Sequence, residues 1–210
     1  MRIEAIVFDM DGVLIDAKDW HYRALNRALE LFGYTIDRAE HLSTFDGLPT
    51  RRKLELLSED RGLPRGLHGF LSELKQIYTI DQVHADCRPL FVHEYALSNL
   101  KSRGYRLALA SNSVRRSVEL MMEKSGLAGY FDVMLSNEDI VRPKPSPDIY
   151  LRACELVGVE PSRALVVEDN VNGIRAAEAA GCPVLVVRSV EEVELSRLVE
   201  AVRRAEERAA

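Results

Sequence analysis

Two aspartates stand at the end of the first apolar run of the chain. Ile3-Glu4-Ala5-Ile6-Val7-Phe8 is followed at once by Asp9-Met10-Asp11-Gly12-Val13-Leu14-Ile15-Asp16. If residues 3–8 form a buried strand, side-chain alternation sets Asp9 and Asp11 on one face at its carboxyl end. Two carboxylates so placed repel each other unless a cation, a shared proton or a ligand offsets the charge. In open α/β sheets that same rim is where ligands bind.

Three later apolar runs end in equally reactive company. Leu107-Ala108-Leu109-Ala110 leads into Ser111-Asn112-Ser113 and then a helical pattern. A hydroxyl with free amides at a helix start can hold a phosphate, and Ser113 can equally be an ordinary N-cap. Val133 to Leu135 leads to Val141-Arg142-Pro143-Lys144-Pro145-Ser146-Pro147-Asp148, where two prolines stiffen the backbone around Lys144 and Ser146-Pro147 has the form of an N-cap and first helical residue. Ala164-Leu165-Val166-Val167 ends in Glu168-Asp169-Asn170, with Asp169 a candidate cap for the helix that follows. Carboxylates there are costly unless compensated, and their oxygens suit a hard cation, Mg²⁺ above all. Four carboxylates (Asp9, Asp11, Glu168, Asp169) against one divalent ion, Lys144 and a phosphate dianion leave the rim strongly negative. The metal is then required to bind an anion, and one carboxyl, Asp11 by preference, carries a proton during part of the cycle.

The elements that must position these groups follow from the pattern. Residues 3–8, 106–110, 133–135, 164–167 and 184–187 are continuous apolar runs, as expected of parallel strands covered on both faces. Helical patterns over 89–103, 114–124, 147–157 and 171–180 end at Gly104, Gly126, Gly158 and Gly181. The alternation predicts an α/β fold, a doubly wound, Rossmann-like parallel sheet. Between Asp16 and Cys87 only helical patterns occur, over 19–32, 50–61 and 67–76, which predicts a helical insert rooted at the rim and able to act as a lid. The expected division is a core of residues 1–16 and 88–210 and a helical cap of residues 17–87. A final helix over 190–208 places Val190, Leu195, Leu198, Val199 and Val202 largely on one face.

The chain has 210 residues, 47% of them hydrophobic, enough for a sizeable core. With 28 basic and 33 acidic residues its net charge is −5, so no nucleic-acid footprint is expected. Glu4 interrupts the first apolar run and no stretch approaches a membrane span, so neither a signal peptide nor a membrane partner is expected. Cys87, Cys154 and Cys182 are odd in number and widely spaced, as expected of reduced, buried thiols in a cytoplasmic protein. No long apolar stripe stands out, which fits a monomer or weak homodimer.

The order Asp9-Met10-Asp11-Gly12-Val13-Leu14, Ser111-Asn112, Lys144-Pro145, Glu168-Asp169-Asn170, with Gly173 and the Ala-rich helix ending at Gly181, resembles the haloacid dehalogenase superfamily of phosphotransferases across nearly the whole chain. The branch it resembles is the β-phosphoglucomutase-like and phosphoglycolate-phosphatase-like group, whose helical cap follows the first motif. The resemblance implies that Asp9 is the nucleophile that takes up the phosphoryl group, and Asp11 the general acid and then base. It implies Mg²⁺ held by Asp9, the main-chain carbonyl of Asp11 and Asp169, with Glu168 ligating or close by. It implies that Ser111 and the Asn112 amide grip the phosphoryl oxygens while Lys144 offsets their charge. Asp11 argues against carbon–halogen chemistry, because the metal-free dehalogenases lack an acid at that position.

The cap offers fewer signals. Phe45-Asp46-Gly47-Leu48-Pro49-Thr50-Arg51-Arg52-Lys53-Leu54 resembles the substrate loop of such caps. Gly47 permits close backbone approach, and Arg51 and Arg52 could reach a substrate anion or diol or form a solvated helix face. His21 matches a cap-entry position of the mutases or is a structural histidine, and Lys75 lies roughly where the family places a cap lysine. Two departures separate the chain from the sugar phosphomutases: Asp46 stands where they carry a lysine, and Ala17 replaces a hydroxyl residue. The expectation is a Mg²⁺-dependent phosphatase acting on a small phosphorylated metabolite, a sugar or polyol phosphate, through an aspartyl-phosphate. The alternatives are a β-phosphoglucomutase-like sugar phosphomutase and a non-catalytic phosphometabolite sensor.

Overall fold

Apolar runs with no polar break need cover on both sides, and the computed structural model, which describes residues 2–208, supplies it. Met1, Ala209 and Ala210, assigned above to the core, lie outside the described residues. The order is β1 (Ala5–Phe8), α1 (Lys18–Glu30), α2 (Arg38–Glu40), α3 (Thr50–Arg61), α4 (His68–Asp86), α5 (Phe91–Ser102) and β2 (Arg106–Ala110). It continues through α6 (Arg115–Lys124), β3 (Val133–Leu135), α7 (Asp148–Val157), β4 (Ala164–Glu168), α8 (Val171–Ala180), β5 (Val184–Val186) and α9 (Leu195–Arg208). All strand pairs are parallel, in the order β3-β2-β1-β4-β5, so the first strand is central.

Strand alternation divides the core. Ile6, Phe8, Leu107, Leu109, Leu165 and Val167 pack with α5, α6 and α9, whereas Ala5, Val7, Ala108, Ala110, Ala164 and Val166 pack with α7 and α8. The second layer is built on small residues, which lets α7 and α8 lie close to the sheet. The four helix-terminating glycines have positive φ, as their positions require.

The segment between β1 and α5 has a hydrophobic cluster of its own, formed by Leu25, Ala28, Leu29, Ile36, Phe45, Leu54, Leu57, Leu63 and Leu71. α4 ends ten residues beyond the pattern over 67–76, at Asp86. Its first half contributes Leu71 to this cluster, while Val83, together with Cys87 after its end, belongs to the core under the sheet. A helix that passes from one core to another has no single apolar stripe, which hid its length.

Three end assignments differ by a residue. α6 begins at Arg115, whose N–H is accepted by the Glu138 carboxylate, so Ser113 is not its cap. α7 begins at Asp148 after Pro147, with the Ser146 hydroxyl donating to Asp148. Asn170, not Asp169, caps α8 by accepting from the Asn172 N–H. The expected helix over 190–208 is a short turn at Val190–Glu192 followed by α9. The Val190 carbonyl is held by His93 Nε2 at 2.7 Å. All three cysteines are free and buried. Among the described residues no helix is long and apolar enough to cross a membrane.

Candidate active site

β1, β2 and β4 run parallel in register, so the residues just past their ends must converge. Asp9 follows β1, with its N–H on the Val167 carbonyl. Ser111 follows β2 and is fully buried. Glu168 is the last residue of β4. Lys144 arrives from the β3–α7 connection and joins the three strand ends at one atom. Its ammonium donates to Asp9 Oδ1 (2.7 Å), Glu168 Oε1 (2.7 Å) and the Ala110 carbonyl (2.9 Å). Burial opposes its charge, but Asp9 and Glu168 outweigh that and hold its pKa above the ordinary lysine value. Lys144 is buried and held in place, and its backbone N–H donates to Asn112 Oδ1 (3.2 Å).

Glu168 has no oxygen to spare. The Tyr150 hydroxyl shares Oε1 with Lys144 (2.7 Å), and the Asp169 and Asn170 amides donate to Oε2 at 2.9 and 3.1 Å. Gly173 makes room for this carboxylate, because a Cβ at that position would overlap it. Gly173→Ala should therefore destabilise the protein by about 1–3 kcal/mol, the cost of overpacking. An exposed helical Gly→Ala would stabilise instead. A raised denaturation midpoint in the variant would contradict this account.

Asp169 is the opposite case. Its carboxylate is buried, and Oδ1 has no hydrogen-bond partner among the described residues. The Lys18 ammonium forms an ion pair with Oδ2 and reaches Asp46 Oδ2 at 3.9 Å. Burial raises the Asp169 carboxyl to about 6 despite Lys18. Asp9, Glu168 and Asp169 offer ligand atoms that all lie within 4.8 Å of one another. A buried carboxylate oxygen without a partner, Asp169 Oδ1, in an all-carboxylate set fits a hard divalent cation. Glu168, saturated by four donors, serves this set chiefly as the counter-charge of Lys144.

Asp11 turns toward the insert. Oδ1 accepts from His21 Nε2 (3.0 Å) and Oδ2 from the Ser113 hydroxyl (2.8 Å), with Ser111 Oγ at 3.5 Å. His21 Nδ1 meets the Lys75 ammonium at 3.0 Å, which assigns the ring proton to Nε2. Burial pushes the Asp11 carboxyl up, but His21, Ser113 and Lys75 outweigh it and hold the group below its ordinary value. Asp9 is the carboxyl that is raised, by burial above all, which Lys144 only partly offsets. The backbone N–H groups of Met10, Asp11 and Asn112 find no acceptor among the described residues.

The insert meets these groups through the loop around Gly47. The Asn112 amide donates to the Gly47 carbonyl (3.0 Å) and the Asn170 amide to Asp46 (2.9 Å). Gly47 has φ +71, and a Cβ there would overlap the Asn170 side chain. Enclosed between insert and sheet is a cavity of about 520 Å³ lined by Asp9, Asp11, His21, Gly47, Lys75, Asn112 and Lys144 among others.

Of the two places open to Arg51 and Arg52, both take the solvated helix face, and Arg51 also borders the cavity. Arg51 lies on the cavity rim but is exposed and paired with Glu55. Arg52 does not line the cavity and pairs with Glu55 and Glu59 on the outer face of α3. The inward place belongs to Lys53, buried beside Leu54 and Leu57. Its signal was in the helical period, which puts residues 53, 54 and 57 on one face. Lys18, His41 and Arg116 also line the cavity, and none was distinguished by spacing.

Comparison with known proteins agrees with this geometry. Residues 6–187 match the family model described as haloacid dehalogenase-like hydrolase. A phosphorylated carbohydrates phosphatase of Thermotoga maritima is 33% identical over 190 residues, covering 85% of this chain and 82% of that protein. A phosphoglycolate phosphatase of Aquifex aeolicus is 29% identical over 184 residues, covering 86% and 82%. The crystal structure of CbbY from Rhodobacter sphaeroides in complex with phosphate superposes with a TM-score of 0.81 at 26% identity, covering 94% of this chain and 99% of that one. A parallel five-stranded sheet with an aspartate after its central strand, a buried lysine bridging two carboxylates and a helical insert at the rim thus accompany a match over most of the sequence, and the chain belongs to the haloacid dehalogenase-like hydrolases, in the phosphoglycolate-phosphatase-like and β-phosphoglucomutase-like branch.

Proposed function

We propose that the protein is a Mg²⁺-dependent phosphatase that hydrolyses a small phosphorylated metabolite, a sugar or polyol phosphate, through an aspartyl-phosphate on Asp9. The observation that carries this reading is the Lys144 ammonium bound to Asp9 and Glu168 beside the buried Asp169 carboxylate, whose Oδ1 has no partner among the described residues. Lys144 restrains Asp9 through Oδ1, which leaves Oδ2 to attack phosphorus. In this reading the backbone N–H of cavity-lining Asn112 meets the phosphoryl oxygens and spreads their charge, while buried Ser111 supports Asp11 and the Ser113 N–H from behind. Asp9, the Asp11 carbonyl and Asp169 would hold Mg²⁺, which neutralises the incoming dianion when bound. Asp11 is held ionised by His21 and Ser113, and the approach of an anionic ester raises its proton affinity. It then donates to the leaving oxygen and afterwards takes a proton from water. Residues 17–87 form the cap in this reading, with His21, Gly47, Arg51 and Lys75 on the substrate side.

A sugar phosphomutase is the second reading. It gains from Lys53 and Lys75, which supply cap charge although Asp46 replaces a lysine. A mutase would need a sugar bisphosphate as primer, and its aspartyl-phosphate would resist water. A generic aryl phosphate tests the first reading. Steady turnover without primer is expected, and a chelator should reduce it to background until excess Mg²⁺ restores it. Turnover insensitive to chelation would refute the proposed metal dependence.

A further inference from the structure

Asp169 is claimed from two sides. It belongs, with Asp9 and Glu168, to the carboxylate set that fits a divalent ion, and its Oδ2 is already ion-paired with the Lys18 ammonium. Lys18 is the first residue of α1, where the chain enters the insert after the turn that follows β1. Its stem lies against Gly12, where a Cβ would overlap both Lys18 Cε and Asp169 Oδ2, so the pair forms only because that residue is glycine. The same ammonium faces Asp46 of the insert loop at 3.9 Å. Asp46 accepts from Asn170 at 2.9 Å, and Asn170 follows Asp169 in the chain. Asp169, Lys18, Asp46 and Asn170 thus close a ring between the sheet rim and the insert.

A divalent ion on this set and an ammonium on Oδ2 draw on the same carboxylate, and their like charges repel. The Asp169 side chain is 1% exposed, so little solvent screens that repulsion. Lys144 cannot give way, because it is buried and held by three acceptors. Lys18 can. Its side chain is 33% exposed, and Asp46 stands within reach as a second partner of the same sign as the first.

We propose that Lys18 is a built-in competitor for the cation: it neutralises Asp169 until a metal takes over that charge, and then transfers to Asp46. Metal occupancy is thereby coupled to the hold on the loop around Gly47, since an ammonium drawn to Asp46 ties that loop to the start of α1. This rests on the metal-dependent phosphatase reading and adds to it a residue that sets metal affinity. Lys18 is a positioning residue, acting through Asp169 and Asp46.

Calorimetric titration with Mg²⁺ at mildly alkaline pH, with no ester present, measures the effect apart from turnover. Lys18→Met keeps the stem and drops the charge. It should bind Mg²⁺ roughly tenfold more tightly than the wild-type protein, the low end for a charge-assisted contact because Lys18 is partly open to screening. Lys18→Arg should stay near the wild-type affinity. If it bound as tightly as Lys18→Met, the effect would lie in packing and the proposal would be overturned. Equal or weaker binding by Lys18→Met would overturn it too, and would leave the phosphatase reading intact. A wild-type protein that binds no Mg²⁺ would overturn both this proposal and the metal dependence. A second measurement needs no variant, so a folding defect cannot shield the proposal. Amine acylation of the wild-type protein, read by peptide mass spectrometry against the exposed Lys124, should label Lys18 faster in saturating Mg²⁺ than in chelator. The reason is that the ammonium exchanges the buried Asp169 for the more exposed Asp46. Unchanged or slower labelling of Lys18 would overturn the transfer.

Discussion

Asp9→Asn should yield a folded protein whose phosphate-ester turnover is lower by roughly ten-thousandfold or more, the scale seen when a nucleophile is removed. The exchange is nearly isosteric. It leaves the Lys144 ammonium bound to Glu168 and the Ala110 carbonyl. It also removes a carboxylate whose charge burial disfavours, so the unfolding midpoint should hold or rise. Two measurements check this: steady-state rates on an aryl phosphate, and acid-quench trapping of labelled protein, which should lose its label in the variant. A variant that retained wild-type turnover would exclude the covalent route through Asp9.

Lys144→Met acts on both stability and chemistry. It removes the donor common to Asp9, Glu168 and the end of β2, and leaves Glu168 in the interior without its counter-charge. Breaking a buried pair from one side costs about 3–5 kcal/mol. In a chain of this size that corresponds to a fall in Tm of roughly 6–20 °C. Turnover should vanish as well, since Asp9 loses the contact that orients it. Adding Glu168→Gln to Lys144→Met should recover part of the stability and none of the activity, because the stranded charge is gone while the site stays dismantled. Equal Tm values for the two variants would show that the deficit comes from packing around Lys144 and not from charge.

The convergence of these side chains at the rim was legible in the sequence because its geometry is dictated by the main chain. Uninterrupted runs such as Ala164–Val167 must be buried parallel strands, and whatever follows them must meet at one edge. That is why Asp9, Ser111, Lys144 and Glu168 could be singled out from residue type and position. Side-chain partners were another matter. Ser113 has the composition of a helix cap, yet its hydroxyl serves Asp11, a pairing across 102 positions that no local pattern reports. Arg52 and Lys53 are both basic and adjacent, and only the packing of Leu54 and Leu57 decides which of them faces inward. Lys18 meets Asp169 because the insert folds back over the rim, a contact fixed by tertiary structure alone. The full length of α4 was obscured because its apolar residues serve two cores.

The two asparagines that grip the substrate loop have a consequence for how binding energy is used. Asn112 stands beside Ser111 and clamps the Lys144 backbone, and Asn170 donates its N–H to Glu168. The loop around Gly47 is thus tied to the very connections that aim the reacting groups. On the proposed reading, cap position and alignment at phosphorus are a single mechanical variable, so affinity gained on the helical side is expected to be spent on alignment and to appear in kcat and not in KM. A truncated substrate that cannot draw the cap down would forfeit speed rather than occupancy.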